Sequence, residues 1–262
     1  MAYKGPDISA WQGDIDIKTL SPQVDFFIFR CYAGSSKDKK VDRNVKLAIE
    51  CGKPYGLYIY SYALNTAQAK EEAQRVVELA NSYSIKPAFL CIDMEDADGY
   101  KKKYGMPSNQ TLRDICTAEG EIFENAGYYA MVYASSSWWK NQLAGLTRFD
   151  KWLADWTKKK DEDLQKIIPH GIRQFKVDRN ENLDYNYAYK DYPNIIGKMY
   201  GISKELKVGS VVKVLKPIIY GTNKKFKQYY EYYEVLSIGK IRKNRIVIGR
   251  DGITISAIDK KY

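Results

Sequence analysis

The alternation of apolar and polar positions divides most of the chain into eight short apolar runs, at residues 3–9, 26–32, 55–62, 88–95, 128–134, 152–156, 172–177 and 183–186. Between several of them the period changes from two to that of a helix. Residues 41–51 read as a helix stopped by Gly52. Residues 66–83 read as a second, with Thr66 as N-cap and Lys70, Glu71 and Glu72 on a solvated face. In residues 109–126 Leu112, Ile115, Cys116, Ile122 and Phe123 recur at helical spacing, and Gly127 supplies the stop. The lysine runs 101–103 and 158–160 read as solvated loop charges. Short strands alternating with helices predict a parallel sheet, and eight is the number that closes a β/α barrel.

The pattern changes after about residue 190. From residue 206 onward the apolar runs are short and separated by Gly, Asn and Lys turns, as in a small all-β module. The predicted organisation is therefore a barrel over 1–190, a connection over 191–205 and a β module over 206–262.

Charge sharpens this division. The chain carries a formal net charge of +10. Residues 206–262 hold thirteen Lys and Arg against four Asp and Glu, so nearly all of the excess belongs to the second segment. Charge alone would suggest nucleic acid, but the first 205 residues are almost balanced, and we expect no nucleic-acid partner. The 23 Tyr and five Trp exceed what a core of this size requires, and amphipathic aromatics in excess line sugar and polymer sites as well as cores. Cys31, Cys51, Cys91 and Cys116 have no metal-ligand spacing and His170 is the single histidine, so we read the cysteines as buried thiols and expect neither metal nor cofactor. The amino-terminal residues lack the apolar core of an export signal and no run reaches the length of a membrane span. The expectation is synthesis in a cytosol and no membrane insertion.

Four carboxylates fall where the ends of barrel strands converge. Asp7 ends the first run, Asp93 and Glu95 end the fourth, and Asp184 lies in the last. The i, i+2 spacing of Asp93 and Glu95 directs both side chains to one face, roughly 6–7 Å apart at Cβ. Crowded carboxyls oppose each other's ionisation, so one stays protonated while another is charged. Glycosidic bond cleavage needs that division of labour between an acid and a stabilising, attacking or water-activating carboxylate. Helix capping is the plainer role for Asp96 and Asp98, and remains open for Asp93.

These residues resemble the family 25 glycoside hydrolases, the Chalaropsis-type lysozymes common among phage endolysins. The resemblance is carried by Asp7-Ile8-Ser9-Ala10-Trp11-Gln12-Gly13, the run 27–32, the run 56–63, Ile92-Asp93-Met94-Glu95, Trp152-Leu153-Ala154-Asp155-Trp156, Gln174-Phe175 and Leu183-Asp184-Tyr185-Asn186. It implies an irregular TIM-like β/α barrel that cleaves peptidoglycan between N-acetylmuramic acid and N-acetylglucosamine. Glu95 would be the general acid, Asp93 its partner, and Asp7 and Asp184 the rest of an acidic cleft. Tyr60, Tyr62, Tyr133, Trp156 and Gln174 become candidate sugar contacts, each equally open to a packing role. The last 57 residues resemble bacterial SH3-like wall-binding modules. Tyr229, Tyr230, Tyr232 and Tyr233, interleaved with lysines, would meet peptidoglycan or anionic wall polymers. A chitinase-like glycosidase and a non-catalytic wall-binding protein are the competing readings. The former would place a further acid where this chain has Cys91. The resemblance also implies a phage endolysin, made in a host bacterial cytoplasm and acting on the wall after release.

Overall fold

The computed structural model describes residues 2–178, 182–193, 195, 208, 211–214, 216–229, 232–239, 244–250 and 253–259. The chain divides into two compact units, one of Met1–Ile49 and Lys53–Tyr200, the other of Glu50–Gly52 and Gly201–Tyr262.

The large unit contains nine strands, β1 (Tyr3–Ile8), β2 (Phe27–Ala33), β3 (Ser36–Lys37), β4 (Tyr55–Tyr60), β5 (Leu90–Asp93), β6 (Ala130–Ser135), β7 (Asp150–Ala154), β8 (Ile172–Asp178) and β9 (Leu183–Ala188). Its helices are α1 (Ile17–Leu20), α2 (Val41–Glu50), α3 (Thr66–Ser82), α4 (Tyr100–Lys103), α5 (Asn109–Asn125), α6 (Ser136–Lys140) and α7 (Asp161–Ile167). The two-residue β3 forms a hairpin with β2, and the other eight strands close into a barrel through the β1–β2 pairing. Seven of the eight are mutually parallel. The eighth, β9, runs antiparallel between β8 and β1, which is where this barrel departs from a regular one.

Each of the eight apolar runs overlaps one barrel strand, with ends displaced by up to two residues at several of them. Their period-two pattern separates two cores. The outward face packs against the helices through Phe27, Phe29, Leu57, Ile59, Leu90, Ile92, Val132 and Leu153. The inward face places Ile28, Cys91, Met131, Trp152, Ile172 and Ala188 in an apolar plug inside the barrel. The polar side chains lie at the next inward positions toward the strands' carboxyl ends.

Three helical readings need correction. The N-cap of α3 is Asn65, whose side chain accepts from the backbone N–H groups of Ala67 and Gln68, and Thr66 is the first helical residue. Glu72 is buried on the inner face of α3, with Ala69, Ala73 and Val76 beside it. Lys101 is buried within α4 and is no loop charge, although Lys102, Lys103 and Lys158–Lys160 are exposed. Of the cysteines, Cys31, Cys91 and Cys116 are buried and Cys51 is partly exposed. The large unit also continues past residue 190, since Tyr192 is buried and its hydroxyl donates to Asp150 at 2.8 Å. Most of the expected connection over 191–205 lies outside the described residues.

The small unit has a four-stranded antiparallel sheet, β10 (Val211–Lys213), β11 (Tyr232–Ile238), β12 (Arg245–Arg250) and β13 (Ile253–Asp259), in sequential order. Val214, Tyr233, Val235, Ile246, Ile248 and Ile258 form its core.

Candidate active site

Each predicted carboxylate sits at the end of the barrel formed by the carboxyl termini of the parallel strands. Asp7 and Asp184 face each other directly across the β1–β9 ladder. Residues so paired share a face with Cβ atoms about 4.5–5.5 Å apart. Asp93 closes β5, and Glu95 follows two residues later, beyond the last paired position of that strand. Asp7 and Asp93 are buried, at 6% and 5% exposure, whereas Glu95 and Asp184 are half-buried. Asp93 and Glu95 lie close enough for each carboxyl to act on the other, and the buried Oδ1 of Asp93 has no hydrogen-bond partner among the described residues.

Burial raises the pKa of all four. Asp7 is pushed up to about 7, first by burial and then by the charge of Asp184, while bonds from Asn186 and Gln174 oppose the rise. Asp93 is raised well above the usual carboxylate range by burial, reinforced by Glu95 and Asp7. Glu95 is also raised by burial, with its contact to Asp93 and the nearby Lys101 ammonium opposing. Asp184 is raised by burial. All four carboxyls therefore hold their protons to higher pH than free carboxylates do, and the titrations of Asp93 and Glu95 are linked.

A buried polar layer fixes Asp7. Its Oδ2 accepts from Gln174 Nε2 at 2.9 Å and from Asn186 Nδ2 at 2.8 Å. Gln174 Oε1 accepts from the Tyr133 hydroxyl at 3.1 Å, and Asn186 Oδ1 from Trp152 Nε1 at 2.7 Å. Gln174 is thus spoken for on both sides and orients Asp7, a different task from the sugar contact expected of it. Tyr133 is half-buried and its hydroxyl feels the charges of Asp93, Glu95 and Asp7, so it stands among the carboxylates. Tyr60 and Tyr62 are half-buried, and their hydroxyls donate to Asp98 at 3.3 and 2.6 Å, so Asp98 clamps the two rings. Asp96 accepts from the N–H groups of Lys101 and Lys102, anchoring α4. Trp156 is 59% exposed, just past β7.

The turn after β1 is written in the sequence. Ser9 Oγ accepts from Trp11 N, Gln12 Oε1 accepts from Ser9 N at 2.8 Å, and this reciprocal cap leaves Trp11 81% exposed beyond Asp7. Sequence reasoning missed Tyr58 and Asn186 as site residues. Both had a signal, since each lies two positions from a chosen residue on an inward face.

In the small unit the four candidate tyrosines separate. Tyr229 is 64% exposed, whereas Tyr233 is a core residue and cannot serve as a surface contact. Its hydroxyl accepts from Tyr229 N at 3.1 Å. Tyr230 lies outside the described residues. Tyr232 is placed in β11, and its side chain is likewise outside them.

Paired, buried carboxyls at the mouth of a β/α barrel, with exposed tryptophans at nearby strand ends, are the equipment of a carboxylate glycosidase. The pattern of glycosyl hydrolases family 25 matches residues 6–183, and the chain belongs to that family. Among solved structures, the modular autolysin LytC of Streptococcus pneumoniae in complex with synthetic peptidoglycan ligand is similar at 23% identity and a TM-score of 0.62, over 72% of this chain and 47% of that one. The catalytic domain of endolysin ply40 from bacteriophage P40 of Listeria monocytogenes is similar at 21% identity and a TM-score of 0.62, over 75% and 97% of the two chains. The bacterial lysozyme of Streptomyces coelicolor matches at 16% identity and a TM-score of 0.58, over 78% and 99%. This chain thus spans about half the length of the pneumococcal autolysin. No curated protein sequence matches it.

Proposed function

We propose that the protein is a peptidoglycan hydrolase that cuts the bond between N-acetylmuramic acid and N-acetylglucosamine in bacterial walls. One observation carries the reading: Asp93, buried at the end of β5, and Glu95, half-buried two residues on, stand side by side at the mouth of a family 25 barrel. Glu95, the more exposed member, with its pKa raised by burial, delivers a proton to the leaving oxygen. Asp93 is then left as the carboxylate that stabilises the developing positive charge, attacks, or activates a substrate group or water. Asp7, held by Gln174 and Asn186 and facing Asp184, adds negative potential on the opposite side of the mouth. Cys91, where a chitinase-like arrangement would need a further acid, lies in the apolar plug.

Mass spectrometry of digested sacculi tests the bond. Reducing-end muramic acid is expected, and reducing-end glucosamine or free peptides would refute the assignment. Glu95→Gln is expected to lower the rate of wall lysis at least about a hundredfold, in line with the loss of a general acid, while sedimentation with walls is unchanged. An unaltered lysis rate would remove Glu95 from its role.

The small unit, on this reading, is an SH3-like module that holds the enzyme to the wall through exposed Tyr229 and the exposed Lys224, Lys225 and Lys227. On the same reading the protein is made in a host bacterial cytoplasm and serves to release phage from that host; the catalytic domain of a phage endolysin has the same fold.

A further inference from the structure

Close to the carboxyl pair lies a second set of ionisable side chains, none of them exposed to solvent. Lys101 on α4 is fully buried, and its Nζ donates to the backbone carbonyls of Ser61 and, at 3.0 Å, of Glu95. Glu72 on α3 and Glu119 on α5 are also buried, and both carboxyls meet the Ser61 hydroxyl, at 2.7 and 3.0 Å. One hydroxyl has one proton, so it donates to one carboxyl and must accept from the other, which is therefore a carboxylic acid. Glu72 also accepts from Tyr62 N at 3.1 Å, which suits the ionised partner. Glu119, raised well above the usual range by burial, is the neutral one. Burial also raises Glu72 and lowers Lys101, the latter against the pull of Asp93, Glu72 and Glu119, and the hydrogen bonds at Ser61 fit one carboxylate and one acid beside the ammonium.

A buried ammonium is costly to retain, and hydrophobic replacements are often at least as stable. Its placement here bears on the reaction. Glu95 lies past the paired part of β5, where no strand ladder fixes it. Lys101 ties the Glu95 carbonyl to that of Ser61 at the end of β4, and Ser61 N in turn donates to Asp93 O at 3.1 Å.

We propose that Lys101 is a positioning residue for the proton donor, tying the Glu95 backbone to the end of β4 and keeping a positive charge beside the Asp93–Glu95 pair. The inference rests on Glu95 being the acid. When Glu95 gives its proton to the substrate, the pair gains a negative charge, and the ammonium beside it favours that state. The groups facing Lys101 are Asp93 and Glu95 from β5 and its loop, Asp96 from the same loop, Glu72 from α3, and Glu119 and the Cys116 thiol from α5. Arg75 acts on Glu72 and Glu119 from further along α3.

The test is the pH profile of muropeptide release from purified sacculi by the full chain. Lys101→Met combined with Glu72→Gln removes both charges and leaves neither stranded. This double variant is expected to melt near the parent temperature, to lose about tenfold in kcat with little change in KM, and to have both limbs of its profile moved up by about one pH unit. Glu72→Gln alone leaves the ammonium unbalanced and is expected to move the profile the opposite way, a sign that a merely structural role would not produce. Lys101→Arg, which keeps the charge, is expected to retain the parent profile. Parent-like kcat and profile in the double variant, or an unmoved profile in Glu72→Gln, would overturn the proposal. If the parent releases no muropeptides, the glycosidase reading fails, and this inference with it.

Discussion

Asp7 is the site residue whose ionisation most directly links chemistry to stability. Its pKa rises from an ordinary 3.8 to about 7 on folding because the carboxyl is buried beside Asp184. A raised carboxyl favours the fold fully below the unfolded value, and that advantage is lost as pH climbs through the folded value. Stability is therefore expected to fall between about pH 4 and pH 7, by on the order of 3 kcal/mol if Asp7 acted alone. In Asp7→Asn the amide oxygen can still accept from Gln174 and Asn186. This variant is expected to melt several degrees higher than the parent at pH 8, and nearly equally at pH 4, in calorimetric scans. A parent-like melting temperature at pH 8 would show that burial of this charge is not felt. At this scale the sequence was readable where a residue obeyed its strand's period, as Asp93 and Asp184 do, and less so for charges inside helices. Glu72 stands on the stripe of Ala69, Ala73 and Val76, and Glu119 on that of Leu112, Ile115, Cys116 and Phe123. A charge in the middle of an apolar stripe was the available signal. Lys101 gave none, because a helix of four residues has too few positions to show a face.

Elements were legible because their faces are unambiguous. Residues 128–134 could be recognised as a strand from a short continuous apolar run, and α5 from five apolar positions at helical spacing. The boundaries were less so, since a cap depends on which neighbouring side chain turns back to the chain: Asn65, the stronger N-cap former of the adjacent pair, does this for α3, and Thr66 does not. Close packing between elements was hidden too. Gly120 sits on α5 where an added Cβ would come within 2.4 Å of the Phe149 ring, itself buried at 4% exposure. Helix propensity favours Ala there by about 1 kcal/mol, and overpacking opposes it by about 1–3 kcal/mol. Gly120→Ala is expected to lower the urea midpoint, and an increase would mean that α5 can move away from Phe149.

At the scale of the whole molecule, the uneven charge was the clearest message of the sequence. The lysines beside Tyr229 are exposed, so the wall binding proposed for the small unit is expected to be electrostatic and screened by salt. The fraction of protein sedimenting with sacculi of the Glu95→Gln variant's assay is expected to fall steadily as salt is raised from about 0.05 to about 0.5 M. Salt-independent sedimentation would point to the aromatic surface instead. The antiparallel course of the final strand could not be foreseen, because a short apolar run carries no sign of its direction.

That reversed strand decides where the barrel's chain enters and leaves. Tyr3 and Ala188 are partners in the β1–β9 ladder, at the end of the barrel remote from the carboxylates. Additions, exchanges or a circular rejoining of the polypeptide made there leave the reacting end untouched, so the catalyst and whatever is attached to it are free to evolve on separate terms.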